Sequence, residues 1–185
     1  MASSAFQLLG VHCHIGSQIF ETTGFVLAAQ KVFTKMAEWN KAYGFIPSVI
    51  NLGGGFGIRY TEEDDPIPVS PYVDCIVEEV KKQAKACQLP LPEIWIEPGR
   101  SLVGDAGTTI YTIGSRKDVP NIRTYLAVDG GMSDNIRPAL YGAKYEAVLA
   151  NRVLGERTET VSIAGKCCES GDMLIWDLAL PETKP

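Results

Sequence analysis

Two textures of hydrophobicity alternate along the first hundred positions. Short continuous apolar runs, "FQLLGVHC" (6–13), "SVINL" (48–52) and "EIWIE" (93–97), each end in polar or glycine-containing residues and predict buried strands. Between the first two runs, Phe25, Ala29, Val32, Phe33, Met36, Ala37 and Trp39 recur at mostly three- and four-residue spacing. That period predicts an amphipathic helix from Gly24 to Tyr43, with Gly44 suited to end it. Val73, Ile76, Val77, Val80 and Ala84 mark the inner face of a second helix. Ser70-Pro71 supplies an N-cap and a proline for its first position.

Strand, loop and helix repeat, and the strands carry no polar alternation. This is the pattern of a parallel sheet buried on both faces. In such folds ligands bind beyond the carboxyl ends of the strands. His12–Ser17, Gly53–Gly57 and Glu97–Arg100 are therefore expected to face one pocket. Beyond residue 105 the texture changes to short β-branched or aromatic runs, "TTIYTIG", "TYLAVDGG", "YEAVLA", "ETVSIAG" and "DMLIWDL". They predict a mostly β second domain over 106–185, after an α/β domain over 1–105. The acidic patch "TEEDDP" (61–66) is expected to be a solvated loop.

Composition narrows the function classes. Seventeen basic and 22 acidic residues give a net charge of −5, so no nucleic-acid footprint is expected. No apolar run reaches the ~18 residues of a membrane span. The opening "MASSAFQLLG" lacks the features of a secretion signal, and five cysteines without one point to reduced thiols and a cytoplasmic setting.

Each polar cluster has a chemical and a plain reading. The glycines of "GGGFG" (53–57) allow backbone N–H groups to approach an anion such as phosphate, or simply make a tight turn. In "EPGR" (97–100), Arg100 suits a phosphate and Glu97 a proton-bearing nitrogen; alternatively the two form an internal ion pair. His12 and His14 share a face if their strand continues. No further ligands follow at zinc-site spacing, so a metal is not expected, and packing or stacking on a flat heteroaromatic ligand remains. "CCESGD" (167–172) holds either an exposed thiol with acid–base work or two buried apolar cysteines. Arg137 and Tyr141, in "DGGMSDNIRPALYGA", suit a carboxylate or merely pack. Phosphate donors, an imidazole and a carboxylate for a ring nitrogen together describe a plausible pyridoxal phosphate pocket.

"HCHIGSQ", "LGGGFG", "EPGRS", "DGGMSDNIRPALYGA" and "CESGD" together resemble the alanine-racemase-like family of pyridoxal phosphate enzymes, on its meso-diaminopimelate decarboxylase branch. The resemblance implies the C-terminal part of a (β/α)8 TIM-type barrel followed by part of a mostly β domain. It implies decarboxylation of meso-diaminopimelate to L-lysine in a homodimer with shared active sites. By position, His14 stacks on the pyridoxal 5'-phosphate ring and Ser17 joins Gly53, Gly54 and Gly55 at its phosphate. Glu97 meets the pyridine nitrogen, Pro98 and Gly99 border the cofactor, and Arg100 reaches both cofactor and substrate. Arg137 and Tyr141 fall on substrate positions. Cys168 takes the proton-donor position and Glu169 recognises the distal end of the substrate, both for the partner's site. His12 is expected to be a structural neighbour of His14.

The family's Schiff-base lysine is expected far upstream of the histidines, yet no lysine precedes His12. The chain therefore reads as an internal piece, comprising the last three βα units and part of the β domain, with "MASS" an artificial or secondary start. Such a piece is expected to be inactive alone. A decarboxylase of ornithine or arginine, or a noncatalytic binding protein of the same fold, is the alternative.

Overall fold

A computed structural model describes residues 5–183; the "MASS" opening lies outside the described residues. The chain separates into two compact units, residues 1–59 with 64–107, and residues 60–63 with 108–185.

The first unit runs β1 (Gly10–His12), α1 (Thr23–Tyr43), β2 (Val49–Asn51), α2 (Val69–Ala86), β3 (Glu93–Trp95) and the single turn α3 (Arg100–Val103). The strands pair in parallel in the order β1-β2-β3, with Val11 opposite Ile50 and Ile50 opposite Ile94. This is a segment of a barrel-type α/β sheet, and its third strand is followed by a single helical turn. Only β2 has a neighbour on each side, and it alone lacks an exposed residue. His12 at the end of β1, and Glu93 and Trp95 in β3, are exposed, so burial on both faces does not hold for the outer strands.

Helix α1 ends as its sequence predicts. Gly44 adopts φ 63°, which costs a residue without Cβ little, and its N–H donates to the Asn40 carbonyl at 2.9 Å. The start of α2 differs from expectation. Pro68 caps it, and Ser70 and Pro71 lie inside the first turn, where proline's missing N–H leaves no helical bond unmade.

Phe25, Phe33 and Met36 of α1 pack with Ile50, Leu52, Tyr72, Ile76 and Val80 as the buried core. Each such side chain contributes roughly 1.5–3 kcal/mol by leaving water. The Phe25, Phe56 and Tyr72 rings touch at centroid distances of 4.9–5.7 Å, and the Tyr72 hydroxyl donates to the Ile19 carbonyl at 2.6 Å. The core thus reaches the loop that follows β1. Between the helices, Glu79 accepts from Gln30 at 2.8 Å and Gln83 at 2.7 Å. The Gln30 bond, foremost among its contacts, holds the Glu79 carboxyl below the usual carboxylate range against the effect of burial.

The second unit forms one sheet, β4 (Ile113–Val119), β5 (Arg123–Val128), β6 (Glu159–Ala164) and β7 (Met173–Leu180), with the short helix α4 (Arg137–Tyr141) between β5 and β6. Neighbours pair in chain order, antiparallel, parallel and antiparallel. Leu126, Val128, Val161, Ile163, Leu174 and Leu180 form its core. "TTIY" and "YEAVLA" are not strands. The second alternates half-buried and exposed residues, but side-chain alternation makes no strand without a partner to complete the hydrogen-bond ladder. The acidic patch is less free than expected. Lys144 pairs with Glu63 at 2.8 Å, and the Tyr145 ring meets Tyr60 edge-on at 5.1 Å.

Arg116 of β4 joins Asp118 at 2.9 Å and Glu159 of β6 at 2.7 Å, while Thr183 donates its N–H to Glu159 at 2.7 Å. Burial raises the Glu159 pKa, but hydrogen bonds from Thr183 and Arg116 outweigh it and hold the group below its ordinary value of 4.5. A depressed native pKa means that the unfolded chain takes up the proton first as pH falls. The stabilisation is therefore present at neutral pH and lost below the ordinary glutamate range. Glu159→Gln is expected to cost ~1–3 kcal/mol at neutral pH and to flatten the acid limb of stability. Denaturant midpoints measured from neutral pH to about pH 3 test this.

Candidate functional site

Beyond the ends of β1, β2 and β3 the backbone goes on bonding. Cys13 N–H donates to Asn51 (2.9 Å), Leu52 to Trp95 (3.1 Å), Glu97 to Gly53 (2.7 Å) and Ile19 to Gly55 (3.0 Å). These bonds draw the "HIGS", "GGGFG" and "EPGR" loops into one surface at the carboxyl edge of the sheet. Two glycines make the approach possible. A Cβ on Gly54 would lie 2.0 Å from the Glu97 carbonyl oxygen, and one on Gly55, whose φ is also +93°, would lie 2.1 Å from the Gly16 carbonyl oxygen. The tight-turn reading of the glycine run is therefore correct. It does not exclude the anion reading, because the Gly54 and Gly55 N–H groups meet no acceptor among the described residues.

Glu97 is bracketed at both oxygens. Asn51 Nδ2 donates to Oε1 at 2.7 Å, and His12 Nε2 lies 3.5 Å from Oε2. The Asn51 side-chain oxygen Oδ1 in turn accepts from Gly53 N–H at 2.9 Å, which ties the carboxylate to the glycine loop. Glu97 does not pair with Arg100. Instead the Arg100 guanidinium donates to the Ser17 hydroxyl, and Ser17 Cα lies 3.3 Å from where a Gly55 Cβ would be. A hydroxyl, a guanidinium and unpaired backbone N–H groups thus meet at one spot. That donor set suits a phosphate.

The histidines divide their work. His12 is beside Glu97, whereas His14 lies against Gly53, whose Cβ would come within 2.9 Å of Nδ1. Between them, burial pushes the Cys13 thiol up, away from the thiolate that reactivity requires. No three His, Cys, Asp or Glu side chains converge as a metal-ligand set among the described residues. Pro98 is half-buried and Gly99 exposed at the turn before Arg100.

The other candidates belong to the second unit. The Arg137 guanidinium stands over the Tyr60 ring at 5.9 Å and the Tyr141 ring at 5.6 Å, and its Nε is buried without a hydrogen-bond partner among the described residues. Tyr141 itself is exposed. Cys167 is half-buried and Cys168 exposed, both with free thiols, so two buried apolar cysteines are not what the loop contains. Glu169 accepts from Ser170 at 3.1 Å and from Gly171 N–H at 3.2 Å within its own turn.

Sequence reasoning passed over three side chains. Asn51 carried a faint signal, a polar residue closing an apolar strand. Asp172 stood at the end of "CCESGD"; it is buried and accepts from Met132 N–H at 2.6 Å and Cys167 N–H at 2.7 Å, fastening the two loops of the second unit. Gln18 carried no signal at all. Its amide donates to the Ile58 carbonyl at 2.9 Å and accepts from Ile58 N–H at 3.1 Å.

Residues 1–104 match the pyridoxal-dependent decarboxylases over their pyridoxal binding domain, and the chain belongs to that family. Within it, the chain is 74% identical over 180 residues to the diaminopimelate decarboxylase of Bacillus methanolicus, covering 97% of this chain and 42% of that protein. It is 66% identical over 184 residues to the diaminopimelate decarboxylase of Bacillus subtilis, covering 100% of this chain and again 42% of the relative. Among solved structures, the diaminopimelate decarboxylase of M. jannaschii in complex with L-lysine superposes with a TM-score of 0.81 at 34% identity, over 95% of this chain and 39% of that one. The chain thus spans about two-fifths of the length of these relatives.

Because Gly54 touches the backbone of another strand's loop, no soft side chain can yield to a methyl group there. Gly54→Ala is expected to destabilise the protein by ~1–3 kcal/mol, read as a lowered thermal midpoint. The neighbouring Gly99, whose Cβ would meet nothing within 4 Å, is expected to tolerate alanine much better in the same measurement.

Proposed function

We propose that this chain forms part of the active site of a cytoplasmic, homodimeric enzyme that uses pyridoxal 5'-phosphate to decarboxylate meso-diaminopimelate to L-lysine. The observation that carries the reading is the juxtaposition of a doubly bracketed carboxylate, Glu97, with the Ser17–Arg100–glycine donor set at one sheet edge. A carboxylate and a cationic and N–H donor set at the same sheet edge suit a ligand that carries both a basic ring nitrogen and a phosphate. The high identity to diaminopimelate decarboxylases supports the choice of substrate.

When bound, the cofactor supplies an electron sink for the pair released as carbon dioxide leaves. The residues of this chain prepare for that event. Gly54, Gly55 and Ser17 offer neutral donors to the phosphate, Gly53 borders it with its N–H held by Asn51, and Arg100 offers a charged donor that also reaches substrate. Glu97, with Asn51 and His12 fixing its two oxygens, keeps a proton on the ring nitrogen. His14 covers one face of the ring. Pro98 and Gly99 border it.

In the overall reaction one carbon–carbon bond breaks, carbon dioxide departs, and a proton takes its place on the same carbon. Cys168 is the proton donor, exposed and therefore available to a site in the partner subunit. Glu169 recognises the distal end of the substrate there. Arg137 and Tyr141 hold a substrate carboxylate by charge and hydroxyl.

The test uses the complete enzyme. Carbon dioxide release and lysine formation from meso-diaminopimelate, with no comparable turnover of ornithine or arginine, are the expected results; preference for either alternative substrate would overturn the assignment. Arg100→Ala removes a charge-assisted contact of ~2–3 kcal/mol, so cofactor affinity should fall by roughly 30- to 150-fold. Cys168→Ala should lower kcat strongly, whereas Cys167→Ala should act on stability. The opposite ranking in steady-state kinetics would transfer the proton-donor role to Cys167.

A further inference from the structure

Gln18 stands out in two independent ways. Its backbone adopts φ 58°, a left-handed conformation in which glutamine, lacking the short side chain of asparagine or aspartate, finds no local compensation. Such a conformation persists only where its surroundings determine it. Its side chain supplies that determination from a distant part of the sequence, with both ends of the amide satisfied on one residue. Nε2 donates to the Ile58 carbonyl at 2.9 Å and Oε1 accepts the Ile58 N–H at 3.1 Å. The amide closes onto the backbone as a strand neighbour would, extending the isolated parallel bridge between Ile19 and Phe56.

The clamp lies beside the donor set. Ser17 precedes Gln18 directly, and its hydroxyl meets Arg100. On the other side Ile19 bridges to the glycine loop, its N–H donating to Gly55 and its carbonyl accepting from Gly57 at 2.9 Å. The Tyr72 hydroxyl reaches that same Ile19 carbonyl from α2. Ser17, like the donor glycines, lies outside any helix or strand, and the fixed points on its C-terminal side begin at Gln18.

Resting on the cofactor reading above, we infer that Gln18 is a positioning residue that sets Ser17 and the glycine loop at the distance a phosphate requires, without touching the phosphate itself. It acts on the phosphate end of the ligand and not on the ring end, where Asn51 and His12 hold Glu97. Loss of the clamp should therefore be felt selectively.

Selectivity gives the test. The complete enzyme, freed of cofactor, is titrated by absorbance and fluorescence with pyridoxal 5'-phosphate and, separately, with pyridoxal, which has the same ring and aldehyde and lacks only the phosphate. Two variants are compared with the unaltered protein. Gln18→Met keeps the length and removes both hydrogen bonds, whereas Gln18→Gly also removes them but relieves the left-handed backbone, so that folding is not at issue. Both should lose roughly tenfold in affinity for the phosphorylated form while pyridoxal binds as before. Equal losses for the two ligands would reduce Gln18 to a general structural role and overturn the inference, as would unchanged affinity for both. An unaltered protein that does not prefer the phosphorylated ligand would overturn the phosphate reading itself, and that result is visible before any variant is made.

Discussion

The contact on which the first unit depends is backbone against backbone. Where β2 and β3 end, the Glu97 N–H donates to the Gly53 carbonyl at 2.7 Å while the Glu97 carbonyl presses on Gly54. No side chain is interposed, so the spacing between the two loops is fixed by a backbone hydrogen bond and by the close approach that only glycine allows. The rest of the arrangement inherits that spacing. Asn51 can reach Glu97 and Gly53 together, and Arg100 emerges from its turn close enough to meet Ser17. A site built this way is rigid before any ligand arrives, and preorganised donors cost least to use.

Packing supports the same edge from behind. The cluster of Phe25, Phe56 and Tyr72 fills the space under the loops, and the Tyr72 hydroxyl converts a buried ring into a tether for Ile19. Glu79 does comparable work between α1 and α2, a charged group kept inside because amides and a lysine satisfy it. The hydrophobic core thus determines where the helices lie, and a few polar anchors determine where the loops lie.

Much of this could be read in advance. The helix of residues 24–43 was legible because its apolar residues keep a mostly three–four period up to the stop at Gly44, and the strand cores were legible as apolar runs. The start of α2 was not, because Ser-Pro is equally at home in a first turn. Nor was the fate of "YEAVLA", since alternation reports side-chain direction and says nothing of a hydrogen-bonding partner. At the sheet edge, residues with distinctive chemistry could be picked out by type, glycine, histidine and arginine among them. Glutamine and asparagine could not. Gln18 and Asn51 act through the amide's ability to donate and accept at once, which matters only when a donor and an acceptor stand in reach, and sequence alone does not display that reach.

The excursion of residues 60–63 bears on how the chain can be divided. These four residues sit with the second unit, Tyr60 beside Tyr145 and Glu63 on Lys144, although the chain on either side of them belongs to the first. Neither unit is a contiguous stretch. No single cut can release either one whole: a break near residue 107 strips the second unit of four of its residues and leaves them attached to the other half. During synthesis those four must wait, already made, for some eighty later residues before their partners exist. The two units are compact separately, but as inherited pieces of sequence they can be exchanged, shortened or spliced only together.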